Sequence, residues 1–331
     1  MKKIAGFLSA FSFLCLCTYA QENNFITEGI KMHDKGDYEG AITFFKKALQ
    51  SDKNSIHANY EMASTYLAMK DYTNALQYAD KVIARNLDYV DQAYILKGSA
   101  LDLSGKPLQA INTYKLALKK YSKNQSLYYN LALTYFSLKQ YNDADEALIR
   151  SLKLDQLHAG SHFLLGLSQA RQGKRVKSLL VLYNFLLLEP KTKRSITAFQ
   201  TLQDQWKNAG NKAAQVNNEE DDEFSTATAM LDVLQDANKN EANKNKPEYL
   251  LLGENTNIIF TILGEEKKDK KGFWWNFYVD YFYSLASNHH TEALCYYITQ
   301  SANTAYNEWL KDNLKKMEAL SEWYTKYLHK Y

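Results

Sequence analysis

The sequence predicts an all-α protein whose first half is a stack of helix-turn-helix repeats. A small residue returns every 34 or 35 positions, and a second series of small residues runs in register twelve residues ahead of it. The first series is Ala41, Ala75, Ala110, Ala144 and Ser178, and the second is Gly29, Ala63, Gly98, Ala132 and Gly166. Closely packed antiparallel helices need small residues where they cross, because larger side chains would push them apart. The chain also has only three prolines, and no alternating pattern of the kind found in all-β proteins.

The N-terminal residues have the pattern of a cleaved secretory signal. A basic start at Lys2 and Lys3 precedes an apolar run over residues 4–17, and small residues then lead to Ala20. The apolar run is too short to cross a bilayer, and no later stretch is long and apolar enough to do so. We therefore expect cleavage after Ala20 and export across the inner membrane, to the periplasm or the outer-membrane periphery.

Charge and cysteine content narrow the function classes further. The chain has 40 basic and 37 acidic residues, and removal of the signal takes two lysines away. The mature net charge of about +1 lacks the basic surplus that is typical of a nucleic-acid-binding protein. Two of the three cysteines lie in the signal, so Cys295 has no partner for a disulfide within the mature chain.

Each repeat has further features that recur in phase. A polar turn, with Gly or Lys where the first helix must end, leads into a second helix with an apolar tail. These positions resemble the tetratricopeptide repeat family, whose signature has three spaced small residues, an aromatic after the turn and a late proline. Five units cover about residues 22–192, and Pro190 follows the last helix. The fifth unit departs most from the pattern, with Gln169, Arg175 and Ser178 in place of the preferred types.

The resemblance implies a right-handed superhelical solenoid whose first helices line a concave groove that binds a protein or peptide segment. The groove-facing positions are Ile26, Tyr60, Ile95, Tyr129 and Phe163, with Phe136 further along. Family members that grip a peptide carboxylate use Lys, Asn and Arg at such positions, and this chain has uncharged residues there. We therefore expect an apolar partner segment. The alternative is that Tyr60 and Tyr129 only pack between neighbouring helices.

The second half of the chain predicts a capping helix, polar connectors and a smaller domain. Residues 193–208 form an amphipathic pattern, residues 217–223 and 236–246 are polar, and a short helix is expected at residues 224–234. Two apolar runs, at residues 250–252 and 258–263, fit either helix turns or strands. The expected organisation is a signal peptide at 1–20, repeats at 21–192, a capping helix with linkers at 193–247 and a C-terminal domain at 248–331.

The C-terminal segment is rich in aromatic residues. Residues 273–331 hold 16 aromatics, about twice the frequency of the whole chain, and three helices are predicted at Phe273–Ser287, Thr291–Ser301 and Ala305–Leu328. The aromatics fit the core of a small helical domain, which is the interpretation we favour, or a contact surface for a protein or a sugar. This segment resembles no family that we can name.

The residues that could carry chemistry are few. Four possible metal ligands lie close in sequence: His289, His290, Glu292 and Cys295. Steps of three residues place successive side chains at different angles around a helix, so these side chains would not meet at one metal ion. The stretch from Gly98 to Lys106 is too long for a phosphate-binding loop. We therefore predict an exported, non-enzymatic protein-interaction scaffold without cofactor or metal. Such a scaffold could be part of a complex associated with the outer membrane. The alternatives are a carbohydrate-binding accessory protein that uses the C-terminal aromatics, and a hydrolase in the unrecognised domain.

Overall fold

A computed structural model describes residues 22–207, 222–301 and 305–328, and helices and turns account for nearly all of these residues. These described residues contain no β-strand, and the all-α prediction is confirmed. The predicted signal peptide lies outside the described residues. None of the described helices combines the length and the apolar character that crossing a bilayer requires.

The chain divides between Lys139 and Gln140 into two units. The described residues of the first unit form three tandem antiparallel helix pairs followed by a seventh helix. The helices are α1 (residues 22–34), α2 (Tyr38–Ser51), α3 (Ile56–Ala68), α4 (Tyr72–Arg85), α5 (Val90–Leu103), α6 (Pro107–Lys120) and α7 (Gln125–Ser137).

Short polar residues start most of these helices. The side chains of Asp37, Ser55, Asp71 and Asn124 each accept a hydrogen bond from a backbone N–H in the first turn of α2, α3, α4 and α7. Such caps satisfy N–H groups that have no partner within the helix. Helix α6 begins instead with Pro107, whose missing N–H costs nothing at that position.

The turn inside each repeat ends the first helix with a residue in the left-handed region. Glycine takes this position at Gly36 and Gly105, with φ near 80°, and lysine takes it at Lys70 and Lys139, with φ near 60°. Glycine adopts this conformation without steric cost, whereas the Cβ atom of lysine makes it sterically less favourable. The Gly and Lys residues that alternate from repeat to repeat therefore occupy the same structural position, the left-handed residue at the end of the first helix.

The periodic small residues lie where helices pack most closely. All ten residues of the two series are buried. A Cβ atom on Gly98 would lie 2.3 Å from the ring of Tyr114, and one on Gly29 would lie 2.4 Å from the ring of Phe45. Each glycine leaves room for a large side chain of the helix that follows. The small residues recur with the repeat because each of these repeats packs a small residue against a large one at this point.

The second unit continues the helical repeats and adds the C-terminal segment. Its helices are α8 (Tyr141–Leu154), α9 (Ala159–Arg171), α10 (Arg175–Leu188), α11 (Lys193–Lys207), α12 (Ser225–Ala237), α13 (Glu241–Lys244), α14 (Glu248–Lys267), α15 (Asp280–Ser287), α16 (Thr291–Ile298) and α17 (Ala305–Leu328). A π-helical turn at Trp274–Val279 runs directly into α15, and a 3-10 turn at Thr299–Ser301 follows α16.

Helix α10 lies at the centre of the second unit. Twelve of its fourteen residues are buried, and the helix packs against α9, α11, α12, α16 and the π-helical turn. The hydroxyl group of Tyr183 lies 2.5 Å from that of Thr256 on α14 and accepts a hydrogen bond from the indole N–H of Trp206 at 3.1 Å. Its ring also packs edge-on against Phe260, with centroids 5.4 Å apart. One tyrosine of the fifth repeat thus joins three elements of one core.

The structure decides one open alternative for the C-terminal segment and differs from the sequence prediction in one respect. The apolar runs at residues 250–252 and 258–263 lie in one helix, α14, whose Thr256 and Phe260 contact Tyr183 of α10. The predicted border at residue 248 is not where the structure divides, since α14, α16 and the π-helical turn share their core with the fifth repeat. Burial of apolar surface on α10 favours this shared core over two separate ones.

The predicted polar connectors are also more ordered than expected from composition. Helix α12 extends to Ala237, a helical turn follows at Glu241–Lys244, and the amide of Asn255 donates to the side-chain oxygen of Asn238 at 3.2 Å. The tract at residues 236–246 is therefore packed onto α14. The other polar tract lies largely outside the described residues.

We expect Gly98→Ala to destabilise the protein by about 1–3 kcal/mol, because the added methyl group would overlap the Tyr114 ring and force the helices apart. Gly253→Ala is the matched control. Its Cβ would meet its nearest atom at 3.6 Å, an ordinary contact, and replacement of a helical glycine by alanine stabilises by up to about 1 kcal/mol. Chemical denaturation of both variants measures the difference, and equal stabilities would contradict the packing account.

Candidate functional site

The predicted groove residues of the first unit lie at equivalent positions on helices that pack side by side. Helices α3, α5 and α7 contact one another in order, and they carry Tyr60, Ile95 and Tyr129. Each of these three side chains is half-buried, as is Phe136 further along α7. The first unit therefore presents a row of partly accessible apolar and aromatic side chains, which we call the repeat face.

Ile26 does not belong to this face. It is only 2% exposed and packs in a core cluster with Phe45 and Met62. Its position in the repeat matches those of Tyr60 and Ile95, but in the first repeat this side chain lies within the core. We therefore correct the predicted set by removing Ile26.

Tyr60 takes part in an aromatic stack at the start of α5. The ring of Tyr89 lies between Tyr60 and His57, with centroids 5.0 and 5.2 Å apart. Tyr89 has φ near 60°, a conformation that a bulky residue adopts only when its surroundings hold it there. Burial raises the pKa of Tyr60 above its ordinary value. The stack thus fixes one edge of the repeat face, and only part of the Tyr60 side chain remains exposed for contact with a partner.

Polar residues further along the first helices are used between repeats. The ring Nδ1 of His33 lies 2.8 Å from the hydroxyl of Thr65, and Thr134 donates a 2.8 Å hydrogen bond to the carboxylate of Asp102. The two pairs are equivalent in the repeat, and each joins a helix to the next first helix. These hydrogen bonds fix the register of neighbouring repeats, so His33 and Asp102 have a structural role.

Phe163, the groove residue of the fifth repeat, lies in the second unit. Its ring packs against Phe185 with centroids 5.0 Å apart, and the guanidinium of Arg194 lies 5.7 Å from the centres of both rings. The side chain is half-buried. Helix α11 therefore covers part of this residue through a cation–π contact.

His162 is a buried residue that the sequence did not single out. Its Nε2 donates to the carbonyl oxygen of Gln156 at 2.9 Å, and its Nδ1 lies 2.8 Å from the hydroxyl of Tyr278 in the π-helical turn. A carbonyl only accepts, so Nε2 carries the proton and the Tyr278 hydroxyl donates to Nδ1. Burial lowers the pKa of His162 to about 4, so the ring is neutral near pH 7. Its partner lies 116 residues away in the chain, and no local motif could have revealed the pair.

The residues that break the repeat pattern in the fifth unit contact other elements. Arg175 donates from Nε to the carbonyl of Gln205 at the end of α11 and pairs with Asp232 of α12 at 2.5 Å. Gln169 donates a 2.6 Å hydrogen bond to the buried carboxylate of Asp145, whose pKa burial raises. These departures from the repeat signature are thus explained by tertiary contacts.

The sequence cluster around Cys295 does not converge into one site. Glu292 accepts a hydrogen bond from the indole of Trp309 at 3.0 Å and pairs with Lys316 at 2.7 Å. Cys295 is buried, and burial raises the pKa of its thiol to about 12. A thiol in this environment stays protonated and is a poor nucleophile. The described residues contain no group of three metal-ligating side chains.

Known proteins share the repeat part of the chain. Models of the tetratricopeptide repeat match residues 32–99 and 125–156. A TPR repeat-containing protein of Methanocaldococcus jannaschii is 34% identical over 114 residues, which are 34% of this chain and 19% of that protein. The chain thus spans about a fifth of the length of this relative. The chain thus contains tetratricopeptide repeats at these residues, which confirms the resemblance predicted from the sequence.

Solved structures of TPR proteins match about half of the chain. A TPR protein of Thermus thermophilus is 21% identical and covers 55% of this chain and 99% of its own, with a TM-score of 0.47. YrrB, described as a TPR protein with an unusual peptide-binding site, is 18% identical over 53% of this chain and 90% of its own, with a TM-score of 0.41. MamA is 26% identical over 49% of this chain and 94% of its own, with a TM-score of 0.42.

We expect the buried His162 to make the protein less stable in acid. Its pKa in the folded state, about 4, lies below the value near 6.5 of an unfolded chain, so the unfolded state binds the proton first as the pH falls. The stability is present above about pH 6.5 and is lost towards pH 4, by about 3 kcal/mol at most. Chemical denaturation at pH 7 and pH 4.5 measures this loss.

The variant His162→Gln should lose less stability between the two pH values than the wild type does. Exposed His289, changed to Gln, serves as the control and should keep the wild-type loss. Asp145 has a raised pKa and acts in the opposite direction, but it is common to all three proteins. An unchanged pH dependence in His162→Gln would show that this residue does not carry the effect.

Proposed function

We propose that this chain is an exported, non-enzymatic scaffold that holds an apolar segment of a partner protein against its repeat face. The single observation that carries the proposal is the uncharged row of Tyr60, Ile95 and Tyr129, half-buried on three successive first helices. The presence of tetratricopeptide repeats supports a protein or peptide as the partner. Aromatic side chains that remain partly accessible are the type of residue that contributes most to protein interfaces.

The chemistry of the repeat face favours an apolar segment over an acidic one. The three side chains carry no charge, and the nearby Asp102 and His33 are engaged by Thr134 and Thr65. A peptide carboxylate would therefore meet no cation among these residues. An extended or helical segment with apolar side chains at regular intervals would instead bury them against the row.

Export rests on the pattern of residues 1–20. Fractionation of cells that express the full chain tests it, and we expect a processed protein that begins at Gln21, in the periplasm or with the outer membrane. An unprocessed chain in the cytoplasm would contradict the localisation and would leave the repeat-face proposal standing.

We expect Tyr129→Ala and Ile95→Ala to weaken partner capture at least tenfold while they destabilise the fold only modestly, because both side chains are half-buried. Ala75→Leu, by contrast, adds volume at a fully buried position and should cost about 1–3 kcal/mol. Affinity capture from envelope extracts, with each variant as bait, measures the first effect, and thermal denaturation measures the second.

Two outcomes would count against the repeat face. If Tyr129→Ala and Ile95→Ala destabilise as strongly as Ala75→Leu, the row belongs to the core. If both variants are stable and capture the partner as well as the wild type, the partner binds elsewhere. Leu116→Ala is a surface control, since Leu116 is 54% exposed on the second helix α6 and should change neither property.

A further inference from the structure

The second unit contains a large open cleft beside the turn between α8 and α9. It has a volume of about 860 Å³, within the usual range for small-molecule sites. The end of α8 and the turn after it line the cleft at residues 153–157. The π-helical turn and the two residues before it, α15 and α17 contribute the other lining residues, together with Asn184 of α10. We call it the aromatic cleft, because five aromatic side chains line it: Phe273, Phe277, Tyr281, Tyr324 and Tyr327.

The polar part of the lining is neutral overall. The amide side chains of Gln156, Asn184 and Asn276 border the cleft, together with one cation, Lys153, and one carboxylate, Asp155. Amides both donate and accept hydrogen bonds, so they suit a ligand whose polar groups do the same. The lining offers neither the excess of cations that would attract an anion nor the excess of carboxylates that would attract a cation.

Tyr281 is the feature of the cleft that most directly indicates a ligand. The residue is 6% exposed, and its hydroxyl has no hydrogen-bond partner among the described residues. A buried hydroxyl without a partner costs about 1–3 kcal/mol. The ring of Tyr327 packs edge-on against that of Tyr281 with centroids 4.8 Å apart. Because the hydroxyl is buried, a ligand can pair with it only if side chains that pack on Tyr281, Tyr327 among them, move.

We propose that the aromatic cleft binds a neutral oligosaccharide, with a sugar hydroxyl paired to Tyr281 and sugar rings stacked on Phe273 and Phe277. Saccharides combine apolar C–H faces, which pack on aromatic rings, with hydroxyls that both donate and accept. The amides of Asn276 and Gln156 are placed at the cleft to meet those hydroxyls. This site is separate from the repeat face and takes a different class of ligand, so it goes beyond the scaffold proposed above.

The lining favours binding over hydrolysis. Enzymes that cleave glycosidic bonds use a pair of carboxyl groups on either side of the bond. Asp155 is the one acidic side chain among the described residues that border the cleft, and its carboxylate accepts a hydrogen bond from the backbone N–H of Leu157 at 3.0 Å.

Isothermal titration of the full mature chain with neutral hexasaccharides tests the proposal. The probes are maltohexaose, cellohexaose, xylohexaose, mannohexaose and chitohexaose. We expect saturable binding of at least one of them at concentrations up to about 1 mM, and about tenfold weaker binding to Tyr281→Phe. Asn276→Ala should weaken the same binding, and Asn276 is exposed, so the change leaves the fold intact.

Tyr281→Phe also separates a ligand contact from a structural role. Removal of an unpaired buried hydroxyl should leave the free protein as stable as the wild type or more so, while it weakens binding. Tyr283→Phe is the matched control on the same helix, and Tyr283 does not line the cleft. This variant should bind like the wild type.

Three results would overturn the proposal. One is the absence of saturable binding to all five probes. Another is binding that Tyr281→Phe and Asn276→Ala leave unchanged. The third is displacement of the bound sugar by an apolar peptide but not by an excess of the same sugar, which would assign the cleft to protein partners. Variants of the repeat face, such as Tyr129→Ala, should not affect sugar binding, so failure of either proposal can be told from failure of the other.

Discussion

The need to bury α10 on every side determines the architecture of the second unit. In a helix at the end of a repeat stack, one face packs inward and a capping helix covers part of the rest. Helix α10 is apolar almost all round, and twelve of its fourteen residues are buried. Helix α11 covers part of it, and α12, α14, α16 and the π-helical turn supply further cover. Because each Å² of apolar surface removed from water contributes about 25 cal/mol, the C-terminal segment and the fifth repeat stabilise each other.

This constraint also explains the polar residues of the fifth repeat. Arg175 would be costly to bury alone, but it caps the end of α11 and pairs with Asp232. Lys177 is equally buried, pairs with Glu223 at 3.0 Å and lies over the ring of Trp274. Charged residues in an otherwise apolar helix are therefore the points where α10 connects to later elements. The weak match of this unit to the repeat signature reflects an added function in packing.

The sequence predicted those parts of the structure that depend on local spacing. The period of the small residues revealed the helix pairs, since Gly98 and Tyr114 meet only sixteen positions apart. The two apolar runs of α14 were ambiguous, because a helix buried on many sides shows no clear period. The aromatic cleft was beyond prediction, since Lys153 and Tyr281 come together only through packing around α10. Ile26 shares its repeat position with the half-buried Ile95 but is itself buried, because in the first repeat this position belongs to the core cluster of Phe45 and Met62.

The cleft and the buried histidine are parts of one arrangement. His162 donates to the carbonyl of Gln156, a residue that lines the cleft, and accepts from Tyr278 in the π-helical turn, which also lines the cleft. The neutral ring therefore joins the two elements through hydrogen bonds. A protonated ring would have a donor at Nδ1 and could no longer accept from Tyr278. Burial keeps the pKa of His162 near 4, so the two elements stay joined at neutral pH, and the geometry of the cleft depends on the fifth repeat that supports it.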